Sequence, residues 1–101
     1  MSLKLSDDKL TICKLAGVKE ISFSAIEKIE PYKDYHSDIR LMGNGGFLGY
    51  TGLFRNKELG KYTAFVGNYS QAFYIRTKSG KIYVTSSEQR EEIIRQIRLK
   101  L

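Results

Sequence analysis

The 101 residues contain only one cysteine, one histidine and one proline. A single Cys (Cys13) excludes an internal disulfide framework and a four-cysteine zinc site. A single His (His36) leaves no histidine cluster for a metal and makes a Ser-His-Asp triad a poor fit. No apolar run approaches the ~20 residues that a membrane-spanning helix needs. No basic start followed by an apolar stretch marks a signal peptide. Acidic residues are few, 11 against 17 Lys and Arg, which leaves a net charge of +6. What is present suffices for one packed domain. Hydrophobic residues make up 42% and charged residues 28%, with seven Tyr and five Phe as bulky core material, too apolar a mixture for a disordered chain.

The positive charge is unevenly placed. Residues 1–50 hold seven basic and seven acidic residues, whereas residues 51–101 hold ten basic and four acidic ones, so the whole excess lies in the second half. A localised positive field attracts nucleic acid, anionic lipid headgroups or an acidic partner, although a merely basic soluble surface has the same composition. The charges are dispersed rather than gathered in a run, which argues against the stripe with interleaved stacking aromatics that nucleic acid demands.

Along the chain, Leu10-Thr-Ile-Cys-Lys-Leu15 alternates and Val18-Lys-Glu-Ile-Ser-Phe23 follows, so 10–23 reads as a hairpin around Ala16-Gly17. Ile26 and Ile29 stand three apart, as in one helical turn or a bend into a third strand, and Pro31 forbids a long helix. Asp38–Met42 is a strand candidate. Residues 43–60 carry glycine at 43, 45, 46, 49, 52 and 60, a density that marks positive φ angles or close backbone approach. Three alternating runs follow at 61–66, 72–77 and 81–85, the last two joined by a Ser79-Gly80 turn.

The period then changes. Thr85 with Glu88 and Ser86 with Gln89 are overlapping capping-box candidates. Glu88, Glu91 and Glu92 fall near one end and Arg95, Arg98 and Lys100 near the other, as a helix dipole favours. Ile93, Ile94, Ile97 and Leu101 form one apolar stripe, predicting a helix from about Ser87 to Leu99. Six or seven short antiparallel strands and one amphipathic helix make a mainly β domain. A sheet that small leaves an open end, which a one-striped helix is suited to plug, giving a strongly bent sheet or small barrel.

On these residues the chain resembles the bacterial pleckstrin-homology (PH) domains, in the group with a Gly-rich segment mid-domain. The resembling positions are Ile26 and Ile29, Arg40 with Gly43 and Gly45, Gly49-Tyr-Thr-Gly52-Leu-Phe54, Gly60, the 74–86 hairpin and the helix after it, together spanning about 5–99. The resemblance implies a PH-like barrel of two near-orthogonal antiparallel sheets closed by the C-terminal helix. It also implies a soluble portion of a bacterial membrane-associated protein. Eukaryotic PH domains bind phosphoinositides through basic residues between their first two strands. Here that loop has only Lys14 and Lys19 around Ala16-Gly17, without a clustered pattern. Met1-Ser2-Leu3 reads as an expression remnant ahead of a fragment of a longer protein.

Other motifs are weak. Gly43-Asn-Gly-Gly-Phe-Leu-Gly49 fails the dinucleotide fingerprint, because Leu48 stands at the third glycine position and no helix pattern follows. It reads as a structural loop crossing between sheets, with a lesser reading as a partner loop offering Phe47, Leu48, Tyr50 and Phe54. His36 lies in a polar turn with no nucleophile beside it, Asp34 and Asp38 lack a metal-loop signature, and Cys13 reads as a buried small hydrophobe. Tyr62, Tyr69, Tyr74 and Tyr83 read as barrel wall and cross-strand pairs.

The functional expectation is a non-enzymatic interaction or scaffold module, needing no cofactor and no metal, on the cytoplasmic side of a bacterial membrane. Its partner would be a protein, a second copy, or an anionic membrane surface met by Arg55, Lys57 and Lys61, with Phe47 and Tyr50 dipping in. A protein-binding or self-associating module without a lipid role is the alternative. Nucleic acid is not an expected partner.

Overall fold

The computed structural model describes residues 2–14, 17–45 and 49–101. Nine strands, two short 3-10 turns and one helix are found among them. The order is β1 (Ser2–Leu5), β2 (Lys9–Lys14), β3 (Gly17–Ser22), a turn at Phe23–Ala25, β4 (Ile26–Pro31), β5 (Ile39–Asn44), β6 (Tyr50–Asn56), β7 (Gly60–Val66), a turn at Tyr69–Gln71, β8 (Ala72–Thr77), β9 (Ile82–Ser86) and α1 (Arg90–Arg98). β1, β2 and β3 form a three-stranded sheet in that order, and the remaining strands form a six-stranded sheet ordered β4-β8-β9-β7-β6-β5.

The two sheets bury one aliphatic core. Leu10 and Ile12 of β2 and Ile21 of β3 meet Ile26, Ile29, Phe65, Phe73, Ile75 and Tyr83 of the large sheet, and Ile93, Ile94 and Ile97 of α1 close the set. The helix is held at both ends. Arg90 donates to the Ala72 carbonyl at 3.1 Å and Arg98 to the Ile29 carbonyl at 2.9 Å. The mainly β, PH-like barrel with a C-terminal helix is therefore the observed architecture, with more strands than the sequence suggested.

Several details depart from expectation. β7 and β9 pair in parallel, with Thr63 opposite Tyr83, so the large sheet is not wholly antiparallel. Of the 43–49 segment, the described residues do not cross between sheets, and Gly46, Phe47 and Leu48 lie outside the described residues. Gly43 and Asn44 end β5 and Gly49 leads into β6, and the two strands pair antiparallel with Gly43 facing Gly52. Both take positive φ (122° and 120°), and a Cβ on either would collide with the partner strand's carbonyl oxygen, Thr51 or Met42. Two strands approach here more closely than side chains allow, and that is what the glycines are for. The helix begins at Arg90, later than predicted, because Thr85 and Ser86 spend their hydroxyls elsewhere. Thr85 donates to the Phe65 carbonyl, and Ser86 accepts from the Gly67 and Asn68 amides. Neither predicted capping box forms, and Leu101 is exposed rather than part of the stripe. Cys13 is half-buried, not buried. The 10–23 hairpin pairs as expected, Lys14 opposite Gly17, while Leu15 and Ala16 of its turn lie outside the described residues.

β4 and β5 occupy opposite edges of the large sheet, so their connection, residues 32–38, must run across it. It crosses the face turned away from the aliphatic core. A second cluster fills that face: Tyr32, Phe54, Tyr62, Ala64, Val66, Ala72, Tyr74, Ile82 and Val84, with Tyr35, Tyr50, Leu59 and Tyr69 packed around it. Strands β7, β8 and β9 are thus buried on both faces, which is why Ala72-Phe-Tyr-Ile75 is continuously apolar.

Candidate functional site

Cations gather on the core-side face of the large sheet, beyond the reach of the small sheet. Arg55 of β6 stands directly opposite Lys61 of β7. Thr63 stands beside Tyr83, so Lys61 and Lys81, each two residues earlier, neighbour one another, and both line one shallow cleft of about 360 Å³. Further along the same face, Phe65 and Tyr83 stack with parallel rings 6.4 Å apart. Lys14 and Lys19, from the β2–β3 hairpin, lie over them at 4.7 and 5.1 Å from the ring centres. Cation–π contact holds these two ammonium groups in place. Among the described residues, none of Lys14, Lys19, Arg55, Lys57, Lys61 and Lys81 forms an ion pair. Exposed apolar side chains share the surface: Leu53 is paired with Met42, and Ile39 with Arg55.

Three of the residues expected from sequence, Arg55, Lys57 and Lys61, surround the β6–β7 turn. Arg55 and Lys57 line a cleft of about 460 Å³ with Ser37 and Ile39. Glu58 sits in the same turn and offsets part of their charge. Tyr50 is not with them. It stands at the far end of β6, opposite Val66, half-buried and edge-on to Phe54 and Tyr69. Phe54 is buried on the opposite face of β6, away from these cations. Phe47 and Leu48 lie outside the described residues. Lys81, Lys14 and Lys19 were missing from the expected set, because only the parallel β7–β9 pairing and the stacking of the two sheets bring them to Arg55 and Lys61.

The opposite face holds a polar centre that the sequence did not disclose. Asp38, at the end of the β4–β5 connection, accepts from Tyr32 (2.6 Å), Tyr62 (2.5 Å) and the Asn56 amide (2.7 Å). Tyr62 spends its proton on Asp38, so Tyr69 is the donor in their 2.8 Å contact. Asn56, buried, also donates to the Asp34 carbonyl and accepts from the Glu58 and Leu59 amides, so all its polar capacity is used. Burial first, and then the Asp38 carboxylate, push the Tyr32 and Tyr62 phenols far above their usual range. Burial lifts Tyr69 to about 12. At the sheet's edge, Tyr74 donates to Glu30 at 2.9 Å, which holds that carboxyl below its ordinary value, helped by Lys28 and Arg98. Asp34 contributes only its backbone, and His36 stacks on Tyr35 with ring centres 4.4 Å apart. Among the described residues no group of three His, Cys, Asp or Glu stands close enough to hold a metal. No helix among them is long and apolar enough to cross a membrane.

No curated protein and no solved structure matches the chain. A family model does, described as the bacterial PH domain and matched over residues 1–101. With two sheets, a C-terminal helix and the Gly-rich hairpin as its physical content, the chain belongs to the bacterial PH domain family.

Proposed function

We propose that this domain is a non-enzymatic interaction module that rests on an anionic membrane surface, on the cytoplasmic side of a bacterial membrane-associated protein. The observation that supports this most is the row Arg55–Lys61–Lys81 across three adjacent strands, extended by Lys14, Lys19 and Lys57 and free of ion pairs among the described residues. Exposed Leu53 and Met42 sit beside the row, so the face offers both charge and apolar contact. Each cation near an anionic leaflet contributes about 1 kcal/mol, and the cytoplasmic leaflet is the anionic one. Five or six such contributions give weak, salt-sensitive docking rather than an anchor.

Co-sedimentation with vesicles tests this. Binding is expected to rise with the fraction of anionic lipid, fall in high salt, and vanish in the charge-reversed variant Arg55→Glu/Lys61→Glu/Lys81→Glu. Binding indifferent to lipid charge and salt would remove the reading. The second reading, a protein-binding or self-associating module, is favoured by the β5 edge. Ile39, Leu41 and Met42 are exposed there on a strand with one side unpaired.

A further inference from the structure

The tyrosine face has an opening. A cleft of about 300 Å³ is lined by Tyr35, His36, Asp38, Tyr50, Phe54 and Tyr69. Three of its rings are steeply inclined to one another: Tyr50 to Tyr69 by 67°, Tyr50 to Phe54 by 76°, and Phe54 to Tyr69 by 58°. Their centres lie 4.8–6.4 Å apart, so the rings pack on one another, and all three line the cleft with Tyr35. Asp38 is part of its lining. Every group that donates to this carboxylate is neutral, and among the described residues it has no ion-pair partner. The site therefore combines an uncompensated negative charge with aromatic walls, in a chain that is otherwise strongly basic.

We infer that this cleft binds a quaternary ammonium group. Aromatic faces attract cations through the ring quadrupole, and quaternary ammonium ions are the cations such walls select. The hydrogen-bond inventory selects the same class. A carboxylate has about four acceptor positions, and three on Asp38 are already taken. A primary ammonium brings three N–H donors and finds about one free acceptor on that carboxylate. A quaternary ammonium needs charge and apolar contact alone. The cleft lies on the sheet face opposite the basic row, so this inference stands apart from the membrane reading.

Tetramethylammonium chloride and choline chloride are the probes, titrated against the intact domain with aromatic resonances followed by NMR and sodium chloride as the ionic-strength control. Saturable shifts at Tyr35, Tyr50 and Tyr69 are expected. n-Butylammonium and the neutral choline analogue 3,3-dimethylbutan-1-ol should each bind at least about tenfold more weakly. Asp38→Asn should weaken binding about tenfold or more. Because Asp38 also ties the connection down, Tyr35→Leu, outside that hydrogen-bond network, is the second variant, and should weaken binding with the circular dichroism spectrum retained. Shifts reproduced by sodium chloride, or equal affinity for the neutral analogue, would overturn the assignment. Vesicles of phosphatidylcholine alone separate the two sources of the group. Competition for the responsive rings assigns a lipid headgroup and would bring the tyrosine face to a bilayer, against the proposed orientation, and tetramethylammonium binding without competition assigns a soluble quaternary ammonium compound.

Discussion

Strands β7, β8 and β9 send Phe65, Phe73, Ile75 and Tyr83 to one face of the large sheet and Tyr62, Ala64, Val66, Ala72, Tyr74, Ile82 and Val84 to the other. The first face is filled by isoleucines from β2, β3, β4 and α1, and among the described residues it buries no hydroxyl network, only the single bond from Thr85 to the Phe65 carbonyl. The second takes six of the seven tyrosines; Tyr32 and Tyr62 donate to Asp38, Tyr69 to Tyr62, and Tyr74 to Glu30. The difference lies in what covers each face. A second sheet and a helix bring apolar side chains. An irregular connection brings backbone polar groups, and amphipathic rings both pack and satisfy them. One region should thus answer to volume, and the other to protons and donors.

The largest effect should come from the aliphatic side. Ile97 is fully buried between helix and sheets. Ile97→Ala should cost about 2–5 kcal/mol, a fall in Tm of roughly 10 °C or more by calorimetry, and Ile97→Asp should prevent folding altogether. A near-normal Tm for Ile97→Asp would mean the helix does not close the barrel. On the tyrosine side, Tyr62→Phe removes a donor to a carboxylate and the acceptor of Tyr69, and should cost about 1.5–3 kcal/mol in urea unfolding. Tyr83→Phe, at a ring with no hydroxyl partner among the described residues, should cost under about 0.5 kcal/mol. Equal losses for these two would erase the distinction between the faces.

A smaller effect separates them by pH. Tyr32, Tyr62, Tyr69 and Tyr74 all have raised pKa values in the folded chain, chiefly through burial. The stability they contribute is fully present below the ordinary phenol value near 10 and is lost as pH rises above it. Absorbance at 295 nm should show the exposed phenols ionising first and these four only together with alkaline unfolding. Glu92 has the opposite sign. Arg95 and then Gln96 hold its carboxyl at about 2, so its small, exposed contribution exists above pH 4.5 and fades between there and 2.

Much of this was readable from residue order. The 72–77 and 81–85 hairpin, its Gly80 turn and the Ile93/Ile94/Ile97 stripe all follow from local period, and local period survives folding. The Gly-rich segment reads from sequence as a crossing loop because glycine density signals backbone freedom without saying whether a second strand lies against it. The Gly43–Gly52 approach is visible only once β5 and β6 pair. Site residues divided the same way. Arg55, Lys57 and Lys61 are neighbours across one short turn, a proximity that residue order alone reveals. Lys81 joins them through a parallel pairing twenty residues away in sequence, and Lys14 and Lys19 through stacking between sheets. Sequence shows Asp38 only as one of two acids without a metal-loop signature; its role as a hydrogen-bond centre is hidden because its partners, Tyr32, Asn56 and Tyr62, lie on three different segments.

The central claim is that the cationic face meets the membrane and the tyrosine face turns away. Amide NMR spectra with small anionic bicelles decide it. We expect selective broadening at Leu53, Arg55, Lys61 and Lys81 with Tyr35, Tyr50 and Tyr69 unaffected. Broadening centred on the tyrosines, or none at all in low salt, would contradict it.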